Sequence, residues 1–361
     1  MRRIVFDISG HGLGHLAQIA PLIRLLRRRV DGARIIIRSR HARGVVAEFA
    51  GAPFTSAPPP PDPELVMLSP VRVDAERTLA AYVALHEDYS AVVAREAAKL
   101  AALKADVLIS DIGYTGLAAA AEAGITAYAL CSLHWEETLA AYLPGNGQTR
   151  AIRKQILDSY NSARAFFLAA PRRHTGGLVN VRPIAPLVRG TGRDRSAAIR
   201  RLAGVGPKVK LGLISFGGIA GEAAKVRIPD DPGWLWIVRD GLPLAGACGN
   251  TAPLSALGGM DMLDLYASCN LVLTKTGYGT FTECAASGAP CLYLPRPDWP
   301  EARDLETWMR TKGYGLPVSA GLLASGAWKD QASRLRRRPA GKGIFRGAEE
   351  AAEMILADLD W

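Results

Sequence analysis

Short apolar runs and longer amphipathic stretches alternate along the chain. Runs at 4–9, 33–38, 107–110, 126–131 and 166–169 are apolar almost throughout, the pattern of strands buried on both faces. Between most of them the apolar positions recur at helical spacing. Ile19, Leu22, Ile23 and Leu26 fall at i, i+3, i+4 and i+7 and predict a helix over 16–29. A longer helical pattern from 74 to 104 predicts a break near His86, and another covers 114–123. A second alternation opens at 209–216 and continues with strand-like runs at 234–238, 271–275 and 291–294. Alternating strand and helix with continuous apolar strands predicts parallel sheets covered on both faces, an α/β architecture. Residues 57–63, with consecutive prolines at 58–61, fit neither helix nor central strand and predict a surface loop. The proline-bearing, non-periodic segment 182–190 reads as a linker between two domains, 1–185 and 186–361.

The 361 residues, 49% hydrophobic and 22% charged, are enough for two cores. No apolar stretch approaches bilayer length, and the short run after Arg2 and Arg3 is interrupted by Asp7, unlike a secretory leader. The five cysteines show no CxxC spacing, and Cys284 and Cys291 lie in apolar surroundings. They read as reduced core thiols of a cytoplasmic protein rather than as zinc ligands. The formal net charge of +10 points to an anionic partner, although solvated helix ends account equally well for Arg27, Arg28 and Arg29, for Arg172 and Arg173, and for the cluster at 334–338. No basic stretch is interleaved with stacking aromatics, which argues against nucleic acid. An anionic substrate, or peripheral contact with an anionic membrane surface, remains.

Candidate chemistry gathers where glycines separate a predicted strand from a predicted helix. The first segment is Gly10-His-Gly-Leu-Gly-His15. Glycine permits close approach of a ligand to the backbone, a helix N-terminus favours negative charge, and histidine exchanges protons near neutral pH. Gly10, Gly12 and Gly14 do not fit the G-x-G-x-x-G spacing of a dinucleotide site. The second segment, at 213–221, includes Gly217 and Gly218. The third is Lys275-Thr-Gly-Tyr-Gly-Thr-Phe-Thr-Glu283, in which Thr276, Gly277, Tyr278, Gly279 and Thr280 can present donors to a phosphate at a helix start. Glu283 has two readings, acceptor of hydrogen bonds from a ribose diol or capping-box partner of an N-cap Thr280. Asp111 follows an apolar strand directly, where α/β active sites gather, and equally suits an N-cap for the helix over 114–123.

The pattern Thr-Gly-x-x-Thr-x-Thr-Glu at 276–283, followed by Ser-Gly-Ala-Pro290, resembles the donor-nucleotide motif of GT-B glycosyltransferases, such as the N-acetylglucosaminyltransferase that forms lipid II. A closer resemblance is to the glycosyltransferase-like N-terminal half of plant-type arabinokinases and its stand-alone bacterial relatives. It rests on Gly10–His15, Val107-Leu-Ile-Ser-Asp111, His134-Trp-Glu136, Pro186-Leu-Val-Arg189, Ser215-Phe-Gly-Gly218 and Lys275–Glu283, and so covers most of the chain. The kinase half has no counterpart in these residues. The paired glutamines that read the donor sugar in the lipid II enzyme are also missing, with Asp298, Glu301, Arg303 and Asp304 in that region.

The resemblance implies a GT-B fold, two Rossmann-like domains with a cleft between them, and a nucleotide diphosphate sugar, UDP or dTDP, as co-substrate. The N-terminal domain would supply the acceptor site and catalytic groups, and the C-terminal domain would bind the nucleotide. His15, Asp111 and Glu136 are the candidates for catalysis, with His11 and His134 beside them. Gly12, Gly14, Gly217, Gly218 and the 276–280 loop with Glu283 are the candidates for donor binding, and Asp298, Glu301 and Asp304 for sugar hydroxyls. The expected reaction is sugar transfer to an unknown acceptor with inversion. It needs no cofactor, and no metal, because no Asp-x-Asp pair lies beside the glycine segments. Hydrolysis or epimerisation of a nucleotide sugar, or binding without turnover, are the alternatives.

Overall fold

A computed structural model describes residues 1–69, 72–172, 176–216, 227, 231–241, 249–297, 299–339 and 345–361. The chain forms two compact units, Met1–Leu187 with Arg346–Trp361, and Val188–Phe345.

In the first unit the strands are β1 (Arg3–Ile8), β2 (Arg34–Ser39), β3 (Thr55–Ala57), a small antiparallel pair β4 (Met67–Ser69) and β5 (Arg72–Val73), then β6 (Val107–Asp111), β7 (Thr126–Cys131), β8 (Ala165–Ala169) and β9 (Val181–Ile184). The main sheet runs β3-β2-β1-β6-β7-β8-β9 and is parallel throughout. Strand order reverses between β1 and β6, where the register sets Ile8 beside Asp111. Loops leaving the carboxyl ends of strands at such a reversal form the ligand crevice of open α/β sheets. The long helical pattern does break near His86, into helices Ala75–His86 and Tyr89–Leu103, and the Asp88 side chain caps the second by accepting from Ala91 N–H.

Two charges lie inside this sheet. Asp7 and Arg38 are register partners on β1 and β2, and both are essentially fully buried. Arg38 donates to both Asp7 carboxylate oxygens, at 2.6 and 3.0 Å, and its third nitrogen lies 3.1 Å from buried Glu96. Gly116, in the helix Thr115–Glu122, lets that helix approach the pair, since a Cβ there would overlap Asp7 Oδ2.

Two expectations need correction. Residues 346–361 do not belong with the second domain. Their helix, Gly347–Asp358, packs on β9 and on the first helix, Leu13–Arg29, burying Ala348, Ala351, Ala352 and Ile355. Glu350 accepts from the Ala185 N–H at 2.7 Å, which ties this helix to the end of β9. The proline-rich segment is also not simply a surface loop, because Pro60 and Asp62 are buried.

The second unit holds β10 (Lys210–Ser215), β11 (Trp234–Val238), β12 (Thr251–Pro253), β13 (Leu271–Lys275), β14 (Cys291–Leu294) and β15 (Gly315–Pro317), in the parallel order β12-β11-β10-β13-β14-β15. Successive residues face opposite sides of a strand. Leu213 and Val272 therefore join one core with Phe281 and Met309, while Ile214, Leu271 and Leu273 join another with Trp236 and Trp328. Here the order reverses between β10 and β13.

Candidate functional site

In the first unit the segment after β1 carries the glycines and histidines. Helix Leu13–Arg29 begins three residues before its apolar periodicity, because Gly12 at φ 72° serves as N-cap in a conformation that favours glycine. Gly12 offers no side-chain acceptor, and no acidic residue occupies the first turn. That helix end keeps its partial positive charge. Gly14 and His15 lie in the first turn.

His15 is buried, and its Nδ1 lies 2.9 Å from Asp111 Oδ1 at the end of β6. Against an ionised Asp111 carboxylate, Nδ1–H is the donor of this pair and Nε2 is the basic nitrogen. Burial pushes the Asp111 carboxyl above its ordinary value, against the pull of His15. Trp135 walls this cluster, with its ring edge-on to His11 at 5.6 Å and tilted to His15 at 6.1 Å. Cys131 Sγ at the end of β7 is 3.8 Å from His15 Nδ1 and donates to Gln18 Oε1 at 3.2 Å.

The proline-rich segment braces the loops on both sides of this pair. Glu64 accepts from the Gly10 N–H at 2.7 Å. Asp62 Oδ1 accepts from the Tyr114 and Thr115 N–H groups and from the Thr115 hydroxyl, at 3.1, 2.9 and 2.9 Å. Asp62, not Asp111, therefore caps the helix Thr115–Glu122, which frees Asp111 for His15. Arg40 and Tyr82 anchor the segment by donating to the carbonyls of Asp62 and Pro63, both at 3.0 Å. Burial raises the Asp62 carboxyl to about 6, despite the hydrogen bonds from Thr115.

In the second unit, helix Tyr278–Ser287 follows β13, with Gly277 rather than Thr280 as N-cap. Again no side chain caps it, no acid occupies the first turn, and its first backbone bond runs from Phe281 N–H to Gly277 C=O. The N–H groups of a first helical turn point out of the helix toward any ligand. Gly277, Tyr278, Gly279 and Thr280 are half-buried. Thr276 is fully buried and its hydroxyl donates to Glu306 at 2.6 Å, so it shapes the loop from below. Burial, reinforced by Arg296, lowers the Lys275 ammonium to about 8.

Glu283 is not a capping-box partner. It accepts from Arg189 Nε and a terminal nitrogen at 2.7 and 3.2 Å, and burial raises its carboxyl in opposition to Arg189. Glu136 is engaged by Arg153, accepting from two of its nitrogens at 2.9 and 2.6 Å. From that motif Trp135 reaches the glycine loop instead. His134 is the N-cap of helix Trp135–Tyr142, its Nδ1 accepting from Glu137 N–H at 3.3 Å. Glu301 accepts from Trp299 Nε1 at 3.0 Å, and Asp304 lies in the first turn of helix Ala302–Thr311. Gly217, Gly218 and Asp298 lie outside the described residues. Asp358 and Asp360 form an Asp-x-Asp pair near the last residue, where Asp358 is held by Arg164 and Tyr128.

Sequence reasoning missed Asp62, Glu64, Cys131 and the role of Arg189. The signal for Asp62 and Glu64 was present: acidic residues in a proline-fixed segment with no helix or strand to solvate them.

No family model matches the chain. Against curated proteins it is 24% identical over 369 aligned residues to an L-arabinokinase of Arabidopsis thaliana, an alignment that takes in 97% of this chain. The chain spans about a third of the length of that relative, 34%. Among solved structures it resembles the calicheamicin glycosyltransferase CalG4, at TM-score 0.66 and 16% identity over 100% of this chain and 98% of that one. The glycosyltransferase of kitacinnamycin gives 0.65 and 16%, over 99% and 98%. A UDP-GlcNAc 2-epimerase from Neisseria meningitidis, solved with UDP-GlcNAc bound, gives 0.56 and 13%, over 98% and 100%. The chain thus has the two-domain, Rossmann-like α/β fold of GT-B glycosyltransferases, which these epimerases share.

Proposed function

We propose that the chain is a nucleotide-sugar-dependent glycosyltransferase, moving a sugar from UDP or dTDP to an acceptor hydroxyl by a single inverting displacement without a metal. The observation that carries this reading is the His15–Asp111 pair at the strand-order reversal of the first sheet. A base must remove the acceptor proton as the acceptor oxygen bonds to the sugar carbon and the bond to the diphosphate breaks. Nε2 of His15 takes that proton, and Asp111 stabilises the imidazolium that results. The leaving diphosphate needs compensating charge, which the uncapped start of helix Tyr278–Ser287 and the nearby Lys275 and Arg296 supply. Glu283 accepts from the ribose hydroxyls. Gly217 and Gly218, and Asp298, Glu301 and Asp304 toward the sugar, are assigned on the resemblance alone.

The epimerase neighbours keep a second reading open, in which the same groups act on the sugar without an acceptor. Product analysis of UDP- and dTDP-sugars with and without candidate acceptors separates the two. The direct test is His15→Ala. Turnover should fall about 10²–10⁴-fold, the typical loss for an acid–base group, while donor affinity by calorimetry changes little. A variant with wild-type turnover and affinity removes His15 from the mechanism.

A further inference from the structure

We propose that the His15–Asp111 pair is also a binding site for a thiophilic divalent cation of the zinc class, completed by Cys131 and Gln18. His15 Nδ1, a carboxylate oxygen of Asp111 and Cys131 Sγ lie within 4.8 Å of one another, and all three residues are buried. Among the described residues no other such trio of histidine, cysteine and acidic side chains occurs. With zinc–nitrogen and zinc–oxygen bonds of about 2.0 Å and zinc–sulfur of about 2.3 Å, tetrahedral ligation sets neighbouring N and O atoms ~3.3 Å apart, and N and S ~3.5 Å. The observed separations are 2.9 Å for Nδ1 to Oδ1 and 3.8 Å for Sγ to Nδ1. Shifts of a few tenths of an ångström therefore open the space for an ion. Gln18 Oε1, 3.2 Å from Sγ, stands where a fourth ligand belongs.

Two further observations favour a cation. Asp111 Oδ2 is buried and has no hydrogen-bond partner among the described residues, so negative charge in the cluster is left without a donor. The charges also balance. A divalent ion with one carboxylate, one thiolate and a neutral imidazole leaves no net charge in a buried place, where an unbalanced one is costly.

On binding, the metal forms bonds to Nδ1, Oδ1 and Sγ. The thiol proton leaves to solvent, and the imidazole proton moves from Nδ1 to Nε2. A protonated Nε2 cannot accept a proton from an acceptor, so the occupied site is catalytically silent. That consequence rests on the proposed role of His15, whereas the binding itself does not.

The test uses the full chain and cobalt(II), whose thiolate complexes absorb in the near ultraviolet through charge transfer. One equivalent should produce that band, release about one proton per chain into weak buffer, and be displaced by zinc. Cys131→Ser should abolish the band. His15→Ala, which keeps the thiol, should weaken cobalt binding at least tenfold. Circular dichroism establishes that each variant is folded. Absence of a stoichiometric band in the wild type, or a band unchanged in whichever of the two variants folds, overturns the site, since another of the chain's five cysteines would then be the source of any band. If the band appears and no sugar transfer is ever found, the metal site stands and the transferase reading fails. If transfer is found and zinc neither binds nor inhibits, the reverse holds.

Discussion

Glu283 and Arg189 form a pair that is largely out of solvent, with side chains 8% and 16% exposed. Glu283→Ala removes the two hydrogen bonds that Glu283 accepts from the guanidinium, at a cost of about 1.5–3 kcal/mol, the usual loss for a charged hydrogen bond. Arg189→Ala should destabilise to a similar extent. The two variants separate at the ligand. If Glu283 also meets a ribose, Glu283→Ala should weaken UDP binding about tenfold or more, beyond any effect of Arg189→Ala, as read by calorimetric titration. Equal losses would return Glu283 to a purely structural role. Asp62 gives a pH-dependent counterpart. Its carboxyl is raised from 3.8 to about 6 in the fold, so the folded chain holds this proton more tightly than the unfolded one. The stability linked to it is fully present below about pH 3.8 and is lost as pH rises through about 6. Asp62→Asn retains an oxygen for the cap and does not titrate. Relative to wild type, the variant should therefore gain stability from pH 4 to pH 7, with little further change above. A difference that is flat with pH in denaturant titrations would refute the assignment.

Helix Thr115–Glu122 is held at its start by Asp62 and pressed by Gly116 against the Asp7–Arg38 pair. An alanine at an ordinary helix position is favourable by about 1 kcal/mol relative to glycine. Gly116→Ala should do the opposite, because the added Cβ overlaps Asp7 Oδ2 and the carboxylate must turn away from Arg38. We expect a loss of about 1–3 kcal/mol, the usual cost of overpacking, with the first unit destabilised and the second unchanged. Calorimetric unfolding reads this, and a stabilised variant would show that the helix has room to move. The same helix shows how elements share work: by taking the cap, Asp62 leaves Asp111 to orient His15.

On the scale of the molecule, the final helix Gly347–Asp358 is a component of the first unit although it follows the second in sequence. Deleting 346–361 removes its buried alanines and Ile355 together with the Glu350, Asp358–Arg164 and Asp358–Tyr128 contacts. The expected result is a marked drop in the unfolding temperature of the first unit, with UDP binding kept if the second unit alone holds the nucleotide. Unaltered unfolding of the first unit would mean that its core is complete without the helix.

The sequence by itself determined the nine longer strands, the parallel class and the glycine segments, because buried parallel strands are continuous apolar runs and glycine loops break them at fixed places. It did not show the short strands β3, β4, β5, β12 and β15, nor that residues 182–184 of the segment read as a linker belong to edge strand β9. It also singled out Asp111, directly after such a run, and His15, at the end of the glycine segment that follows another. Their partnership was decided only by the fold: residues 96 positions apart meet because β1 and β6 are neighbours with Ile8 opposite Asp111. Periodicity likewise could not show that Glu283 faces Arg189 rather than its own helix start, nor that residues 346–361 return to the first unit. These are choices among locally equivalent partners, and long-range packing makes them. The brace from Asp62 and Glu64 belongs with them, since a proline-rich segment carries no period from which its direction can be read.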